Sequence, residues 1–518
     1  MIDKELAEQA KKEYSLPENV IRQGGIHGRP FWNTQATQFT YAPAFDLAPA
    51  LLFYRYLFEA VGCDGVVHSF EAESPIANLC PIWDELPDGQ VTLTVTAINE
   101  DGSRFAISGA RTFHKCSPFT GNYPPKARGY REAATMVLDY GFELPLIQHW
   151  LTGKPDPDYQ LYYFPAKMIS SIISTMIVYA KLRPERAGTA MKIAVNAADY
   201  LISVSYPKGT PLEGLPPTYY QHTPHVDFDE GVTSRADQNM LIYPCNVGMA
   251  YLELFDATGD RKYYDAATAI SDWYRDHVQP NGSWYLMVYL KDGSPSTSAF
   301  CLPFGIESFL RAVYKRTGEK KLLEIAENCN KYVREICLND FHWEGQFEDS
   351  TISKRYSNLA HSGARAFLHN TLCYYPDDPD RIAEAEECMR FVEDQFVLWD
   401  KKLGARPGWK TDEWHVPAGL EQFAWYVPID DSTAEIMRAF AALYKATGKR
   451  LYLEKAKALA DSITNMQNPD NGFIPTHWNT VEPDKESVNR FWINCLFSTA
   501  TYLAEFADMV ENDMTERI

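Results

Sequence analysis

The chain has 518 residues, 45% of them hydrophobic and 23% charged, enough for a large buried core in one large domain with a smaller one, or in three ordinary domains. Its formal net charge of −20, from 49 Lys and Arg against 69 Asp and Glu, and the lack of any basic run remove the electrostatic driving force for binding nucleic acid or an anionic membrane surface. Aromatic residues make up 14%, which suits either a large core or surfaces that stack on sugar rings.

The first residues, MIDKELAEQAKKEY, carry no apolar leader, and no stretch reaches the roughly 18 apolar residues of a membrane span. The chain as it stands is therefore expected in the cytoplasm, a removed export signal being the alternative. Ten cysteines scatter without a CxxC or Cys/His cluster and read as buried free thiols of a reducing compartment. Residues 91–96, VTLTVT, alternate with period two, and Asp101-Gly102 marks a turn ahead of Phe105, Ala106 and Ile107: a β-hairpin. With FTYAPAF at 39 and VVHSF at 66, it predicts an N-terminal extension and small β-sandwich-like domain over residues 1–118.

From about residue 128 the period becomes helical. After Gly259, for example, Tyr263, Ala266, Ile270, Trp273 and Tyr274 fall on one face. Three segments share an aromatic residue, two further residues and Thr-Gly: Phe255 to Gly259, Tyr314 to Gly318 and Tyr444 to Gly448. A glycine just past a helix end takes the left-handed conformation, so each should close one helix and open the next. Looser copies at Tyr179 to Pro184 and Tyr374 to Pro379 carry proline as the stop. Five helix hairpins are thus visible, recurring roughly every 60 to 75 residues, and residues 129–178 are expected to supply a sixth. Each outer helix is followed by an aromatic, glycine-containing loop: PNGSWYL at 280, FHWEGQFED at 341, LGARPGWKTDEWH at 403 and NPDNGFIPTHW at 468. Six pairs with such loops predict a mainly α protein whose residues 119–518 close into an (α/α)6 toroid; an open solenoid would have shorter, stricter repeats. In a toroid the loops ahead of the inner helices gather on one face and line one funnel.

The densest group of acids is Trp343-Glu344-Gly345-Gln346-Phe347-Glu348-Asp349. A single acid there can be a helix cap or a solvated charge, but Trp343 and Phe347 draw the segment inward. A second group holds Trp409, Trp414, His415, Glu421, Gln422, Trp425 and Tyr426, followed by Asp430 and Asp431. An acid among so many aromatics loses hydration, which raises its pKa and suits it to proton donation. One of Asp430 and Asp431 reads as the N-cap of the helix that follows.

His225, Asp227, Asp229, Glu230 and Arg235 precede these groups; Asn358, His361, Arg365, His477, Trp478, Asn489, Arg490, Trp492 and Asn494 complete the funnel candidates. The spacing of His225, Asp227 and Asp229 hints at a metal, but no His-x3-His or carboxylate cage completes it, so none is predicted. His361 and Arg365, four apart, share a helix face on which they could bind a carboxylate jointly; an internal ion pair from Arg365 to a loop acid is the alternative. Glycine-rich phosphate loops and the GxSxG elbow are absent, which removes support for nucleotide cofactors and acyl transfer, and no cofactor is predicted. Paired acids among stacking aromatics leave glycoside cleavage, with Glu348 and Glu421 as acid and base or nucleophile, helped by Asp349 and Glu344.

The segments WEGQFED at 343, NLAH at 358, LEQF at 420, YVPIDDSTA at 426 and WINC at 492 resemble glycoside hydrolase family 154, a bacterial (α/α)6 group, and the similarity runs over most of the chain, including PIW and RTF in the leading β segments. Phe423 departs from the LEQY form of that pattern, which removes a phenol. The resemblance implies an exo-acting, β-glucuronidase-type enzyme that removes a terminal uronic acid, similar in architecture to unsaturated uronyl hydrolases. The expected partner is an oligosaccharide or glycoside, contacted by His225, Arg235, Trp343, His361, Arg365, Trp409, Trp414, Tyr426, Trp478 and Arg490. Arg365, His361, Arg235 and Arg490 are the donors available to a uronate. Self-association is left open. The nearest rival is a uronate lyase or epimerase, with Tyr356, Tyr426 or His361 taking the C5 proton; the third reading is a glycan-binding protein without catalysis.

Overall fold

The computed structural model describes residues 2–21, 32–34, 36–51, 53, 55–220, 225–227, 231–233, 235–339, 341–348, 360–400, 416–422, 427–478 and 491–516, with the backbone alone at 225–227, 231–233 and 512–516. The helices are α1 Lys4–Glu13, α2 Cys80–Trp83, α3 Tyr130–Glu143, α4 Pro145–Gln148, α5 Pro165–Leu182, α6 Ala187–Val204, α7 Pro244–Thr258, α8 Arg261–His277, α9 Phe304–Thr317, α10 Lys320–Val333, α11 Ser362–Tyr374, α12 Pro379–Phe396, α13 Asp430–Thr447, α14 Arg450–Met466 and α15 Ile493–Glu516. The protein is mainly helical, and among the described residues no helix is long and apolar enough to cross a membrane. The chain divides into two compact units: Met1–Lys126, Ile336–Trp343 and Asn358–Asn465 form the first, Ala127–Glu335, Glu344–Ser357 and Met466–Ile518 the second.

In the first unit, strands β1 Gln38–Phe39, β2 Tyr56–Val61, β3 Val67–Ala72, β4 Gly89–Ile98 and β5 Arg104–Lys115 form one sheet in the order β1-β5-β4-β2-β3. The hairpin predicted at 91–107 is β4 and β5, antiparallel with Val91 opposite Phe113. The expected sandwich is corrected: the described strands of residues 1–118 form this single sheet. Its inner residues Val91, Leu93, Val95 and Ala97 are buried, and aromatic side chains pack on that face: Trp83 stacks on Phe113, with Phe45 beside it. An alternating strand requires one covered face, but a second sheet is only one way to cover it. The edge strand β1 is tied to α12, because the Asp394 carboxylate accepts hydrogen bonds from the backbone N–H groups of Thr40, at 2.6 Å, and Tyr41, at 2.7 Å. Burial pushes that carboxyl up to about 7 in spite of these donors.

Helix α1 docks in the same unit through buried charge. Lys455 on α14 is fully buried, with Nζ 2.6 Å from Glu13 Oε2 and 2.9 Å from Glu393 Oε2. Glu393 also accepts from the hydroxyls of Tyr14 and Tyr41 and from Trp399 Nε1. Burial alone would lower the Lys455 pKa, but the two carboxylates outweigh it and the ammonium is retained.

In the second unit the hairpins α5/α6, α7/α8 and α9/α10 stand side by side, α7 packing against both α5 and α9. Residues 129–178 do not supply a pair of their own, which corrects that expectation: α3 packs along α15 instead, which also touches α5. At Gly141 of α3 an added Cβ would lie 2.4 Å from the Phe497 ring, so glycine permits this close approach, and Arg131 bonds Asp508 and Glu511 across it.

The repeated Thr-Gly signature is a helix cap. Gly259, Gly318 and Gly448 have φ of 71°, 70° and 69°, and their N–H groups donate to the carbonyls of Phe255, Tyr314 and Tyr444 at 2.7 to 2.8 Å. The threonine hydroxyl donates to the carbonyl four residues back and accepts from the second amide ahead, as in Thr258 with Leu254 and Asp260. The prolines of the looser copies begin helical turns rather than stop them. Pro379 opens α12 behind an Asp378 cap, and Pro184 opens the turn that leads into α6, since a residue without N–H costs nothing in a first turn. The N-cap of α13 is Ile429; Asp430 and Asp431 lie in its first turn, where the helix dipole favours carboxylates. Among the thiols, all free, Cys63 and Cys373 are exposed, against the expectation of uniform burial.

These positions differ in what a methyl group would cost. Around Gly448 there is open space, so Gly448→Ala should cost only the left-handed backbone penalty of about 1 to 2 kcal/mol. Gly472 has φ of 83° and its Cβ would lie 2.6 Å from the Met136 carbonyl oxygen, so Gly472→Ala should cost clearly more. Urea midpoints of the two variants compare them directly, and equal shifts would refute the close approach at Gly472.

Candidate functional site

The second unit assembles a charged cluster at the starts of α5 and α7. Gln346 stitches the segment 344–348 to the approach of α9: its Oε1 accepts from the Leu302 amide at 2.8 Å and its Nε2 donates to the Phe300 carbonyl at 2.7 Å. Two residues on, the Glu348 carbonyl accepts from Arg235 Nη1 and the Tyr219 hydroxyl, both at 3.0 Å. This clamp fixes the main chain and turns the side chain inward, where Oε1 accepts from Lys167 Nζ at 2.7 Å and Oε2 from the Tyr243 hydroxyl. Lys167 lies in the first turn of α5, and Tyr243 immediately precedes α7. Because α5 packs against both α7 and α15, their N-terminal ends meet here, and Trp492, just ahead of α15, lies 4.5 Å from the Lys167 ammonium and stacks on Phe164.

The Glu348 side chain is 1% exposed and that of Lys167 24%. Burial alone would push the Glu348 carboxyl up, but the Lys167 charge, its hydrogen bond and the Tyr243 hydroxyl outweigh it and hold the group below the usual carboxylate range. Glu348 is therefore an anion at neutral pH, suited to act as a base or nucleophile and unsuited to give a proton.

The first unit holds the other predicted acid. Ala360 bridges to Gln422, the His361 amide donates to the Glu421 carbonyl at 3.4 Å, and Gln422 Nε2 reaches Glu421 Oε2 at 3.3 Å, so Glu421 sits half-buried beside the start of α11. His361 and Arg365 do share a face and do approach one carboxylate, that of Glu435 on α13: Arg365 Nη2 is 2.6 Å and His361 Nε2 4.0 Å from it. The internal partner is thus a helix acid, which corrects the expected loop acid. Burial, with the Arg365 charge, holds His361 neutral, its pKa well below the ordinary histidine value.

Trp343 and Trp478 are both fully buried, and Trp343 packs on Phe341 and Phe367. This corrects their expected contact with sugar: their area serves the core. Glu344 is half-buried at the head of its segment. His225 and Asp227 lie on the strand His225–Asp227, whose side chains are outside the description; Asp229, Glu230, Asp349, Tyr356, Asn358, Trp409, Trp414, His415, Phe423, Trp425, Tyr426, Asn489 and Arg490 lie outside the described residues. Among the described residues no group of three or more His, Cys, Asp or Glu could hold a metal. Sequence reading missed Lys167, Tyr219 and Tyr243. Lys167 had a signal: it is the lone charged residue in the apolar run from 160 to 180.

Compared with family profiles and with curated proteins, the sequence finds no match. Among solved structures, a family 76 glycoside hydrolase from a bovine Bacteroides thetaiotaomicron strain is 12% identical, covering 88% of this chain and 93% of that one at a TM-score of 0.45. A cellobiose 2-epimerase from Spirochaeta thermophila is 13% identical, with 74% and 98% covered and a TM-score of 0.47. An unsaturated glucuronyl hydrolase specific for heparin is 12% identical, with 74% and 97% covered and a TM-score of 0.45. Likenesses this distant carry no argument about the activity of this chain.

Proposed function

We propose that the protein is a glycoside hydrolase of the family 154 kind, removing a terminal uronic acid from a glycan, with the helix pairs after residue 118 forming an (α/α)6 toroid that follows the small N-terminal β-domain in the chain. The motif resemblance supports the family; the observation that carries the chemistry is Glu348, a dry carboxylate kept ionised by an ammonium and a phenol. Hydrolysis of a glycosidic bond uses one carboxylate that stays charged and one carboxylic acid that gives its proton to the leaving oxygen. Glu348 takes the first role and Glu421 the second, with Asp349 and Glu344 assisting. A panel of chromogenic glycosides tests it: glucuronide or galacturonide should be cleaved and neutral glycosides poorly. A product with the ultraviolet absorbance of a conjugated double bond would replace hydrolysis by a lyase reaction.

Two outcomes follow. Glu421→Gln should lower turnover of a glycoside with a poor leaving group by about 10² to 10⁴, and much less for an activated aryl glycoside that departs without protonation. Equal losses on both would remove Glu421 as the proton donor. The second concerns pH: a depressed folded-state pKa keeps Glu348 ionised as the pH falls, so the acid limb of kcat/KM should lie below the ordinary glutamate range. It should move upward in Lys167→Gln, which lacks the ammonium that depresses it.

A further inference from the structure

Trp492 differs from the other tryptophans of its unit. Trp150, Trp273, Trp284 and Trp478 are buried, whereas Trp492 keeps part of its surface in solvent. An indole left partly in water forgoes hydrophobic stabilisation, yet the main chain that carries this one is fixed on both sides. The hydroxyl of buried Tyr159 donates to the Phe491 carbonyl at 2.8 Å and accepts from the Ile493 amide at 3.0 Å. The Trp492 amide itself donates to Thr476 Oγ1 at 2.9 Å.

The indole also belongs to a run of rings that leads to the charged cluster. Phe164, just ahead of α5 and partly exposed as well, stacks on it with ring centres 6.0 Å apart and planes within 9° of parallel. Phe164 meets Tyr219 edge-on at 6.1 Å, and Tyr219 holds the Glu348 carbonyl. The Lys167 ammonium that binds the Glu348 carboxylate lies 4.5 Å from the centre of the indole. One side chain thus separates a rigid, half-exposed aromatic surface from the dry anion.

We infer that Trp492 is the stacking platform for a sugar ring of the substrate, taking the C–H face of a pyranoside against its indole beside Glu348. The inference rests on the carbohydrate reading above and adds to it the residue that holds the ring. A pyranose carries hydroxyls on its rim and C–H groups on its faces, so an aromatic plane binds the face and leaves rim and glycosidic bond to polar groups. With its main chain already fixed, Trp492 has little freedom to lose on binding.

The test measures dissociation constants of methyl β-glucuronide and methyl β-glucoside by nuclear magnetic resonance titration of wild type, Trp492→Phe and Trp492→Ala. Affinity should fall about 10-fold or more in Trp492→Ala and stay within about 5-fold in Trp492→Phe, which keeps a smaller aromatic plane. The factor should be similar for both sugars, because the ring face does not include the carboxylate. A loss confined to the glucuronide would mean that the variant acts through the Lys167 charge, and overturns the inference. Hydroxyl-radical footprinting of wild type gives an answer without any variant: saturating methyl β-glucuronide should protect Trp492 from oxidation, and unchanged oxidation overturns the platform. Cleavage of glucuronides with sugar affinity unchanged in Trp492→Ala overturns the inference and leaves the reaction standing. Sugar binding that protects Trp492 and weakens in Trp492→Ala, with no glycoside cleaved, supports the inference and overturns the reaction.

Discussion

Glu348→Gln is expected to lower kcat by about three orders of magnitude or more, the usual cost of removing a catalytic carboxylate. Gln keeps the volume, its carbonyl oxygen can still accept from Lys167 and its amide N–H can donate to the Tyr243 hydroxyl oxygen, so the change removes charge with little change of shape. The loss should be as large for an activated aryl glycoside as for a poor leaving group, because a base or nucleophile is needed whatever departs; this separates Glu348 from Glu421. Lys167 would lose its counter-ion, and since its side chain is 24% exposed, water can compensate in part. The urea midpoint should therefore fall far less than the turnover. A folded Glu348→Gln within tenfold of wild type would remove Glu348 from the mechanism.

Lys455→Met is expected to be the most damaging single change to stability, at about 3 to 5 kcal/mol, the cost of breaking a buried ion pair from one side. The variant strands Glu13 and Glu393 together with no cation between them, against a total stability of about 5 to 15 kcal/mol for a typical native protein. Burial and the neighbouring Glu393 already raise the Glu13 pKa, and without the ammonium the Glu13 carboxyl should take up a proton more readily. In the variant the folded pKa of Glu13 stands above the unfolded one, so the defect should shrink as pH falls and be largest at neutral pH and above. Urea titrations at two pH values read this, together with the rate of proteolytic cleavage inside residues 1–20, which should rise as α1 loses its anchor. A normal cleavage rate, or restoration of stability failing when Glu13→Gln and Glu393→Gln accompany Lys455→Met, would refute the account.

Local features were legible in the sequence wherever one backbone conformation decided them. The Thr-Gly caps required φ near 70°, which glycine supplies, and the helix breaks fell at Gly259, Gly318 and Gly448. The β4/β5 hairpin followed from alternation alone. What covered that sheet was not legible, because the strap onto β1 comes from Asp394, 354 residues along the chain from Thr40. The same limit applies at the site. Glu348 could be picked out as an acid flanked by aromatics, but its charge state depends on Lys167, 181 residues away. Positions 361 and 365 announced a shared face, while their partner Glu435 lay on another helix. Trp343 and Trp478 looked like sugar platforms because composition cannot distinguish a buried indole from one that lines a funnel.

The anchoring of α1 by Lys455 also bears on the order in which the chain can mature on the ribosome. The partner of Glu13 is made 442 residues after it. At about 5 to 20 residues per second the interval is roughly 20 to 90 s. Throughout it, the amphipathic face of α1 and the tyrosines that serve Glu393 have no native seat. The second unit waits likewise, since Arg131 of α3 meets Asp508 across 377 residues. Neither unit can be completed as a continuous stretch emerging first, so nascent chains truncated before residue 455 should expose α1 to chaperones.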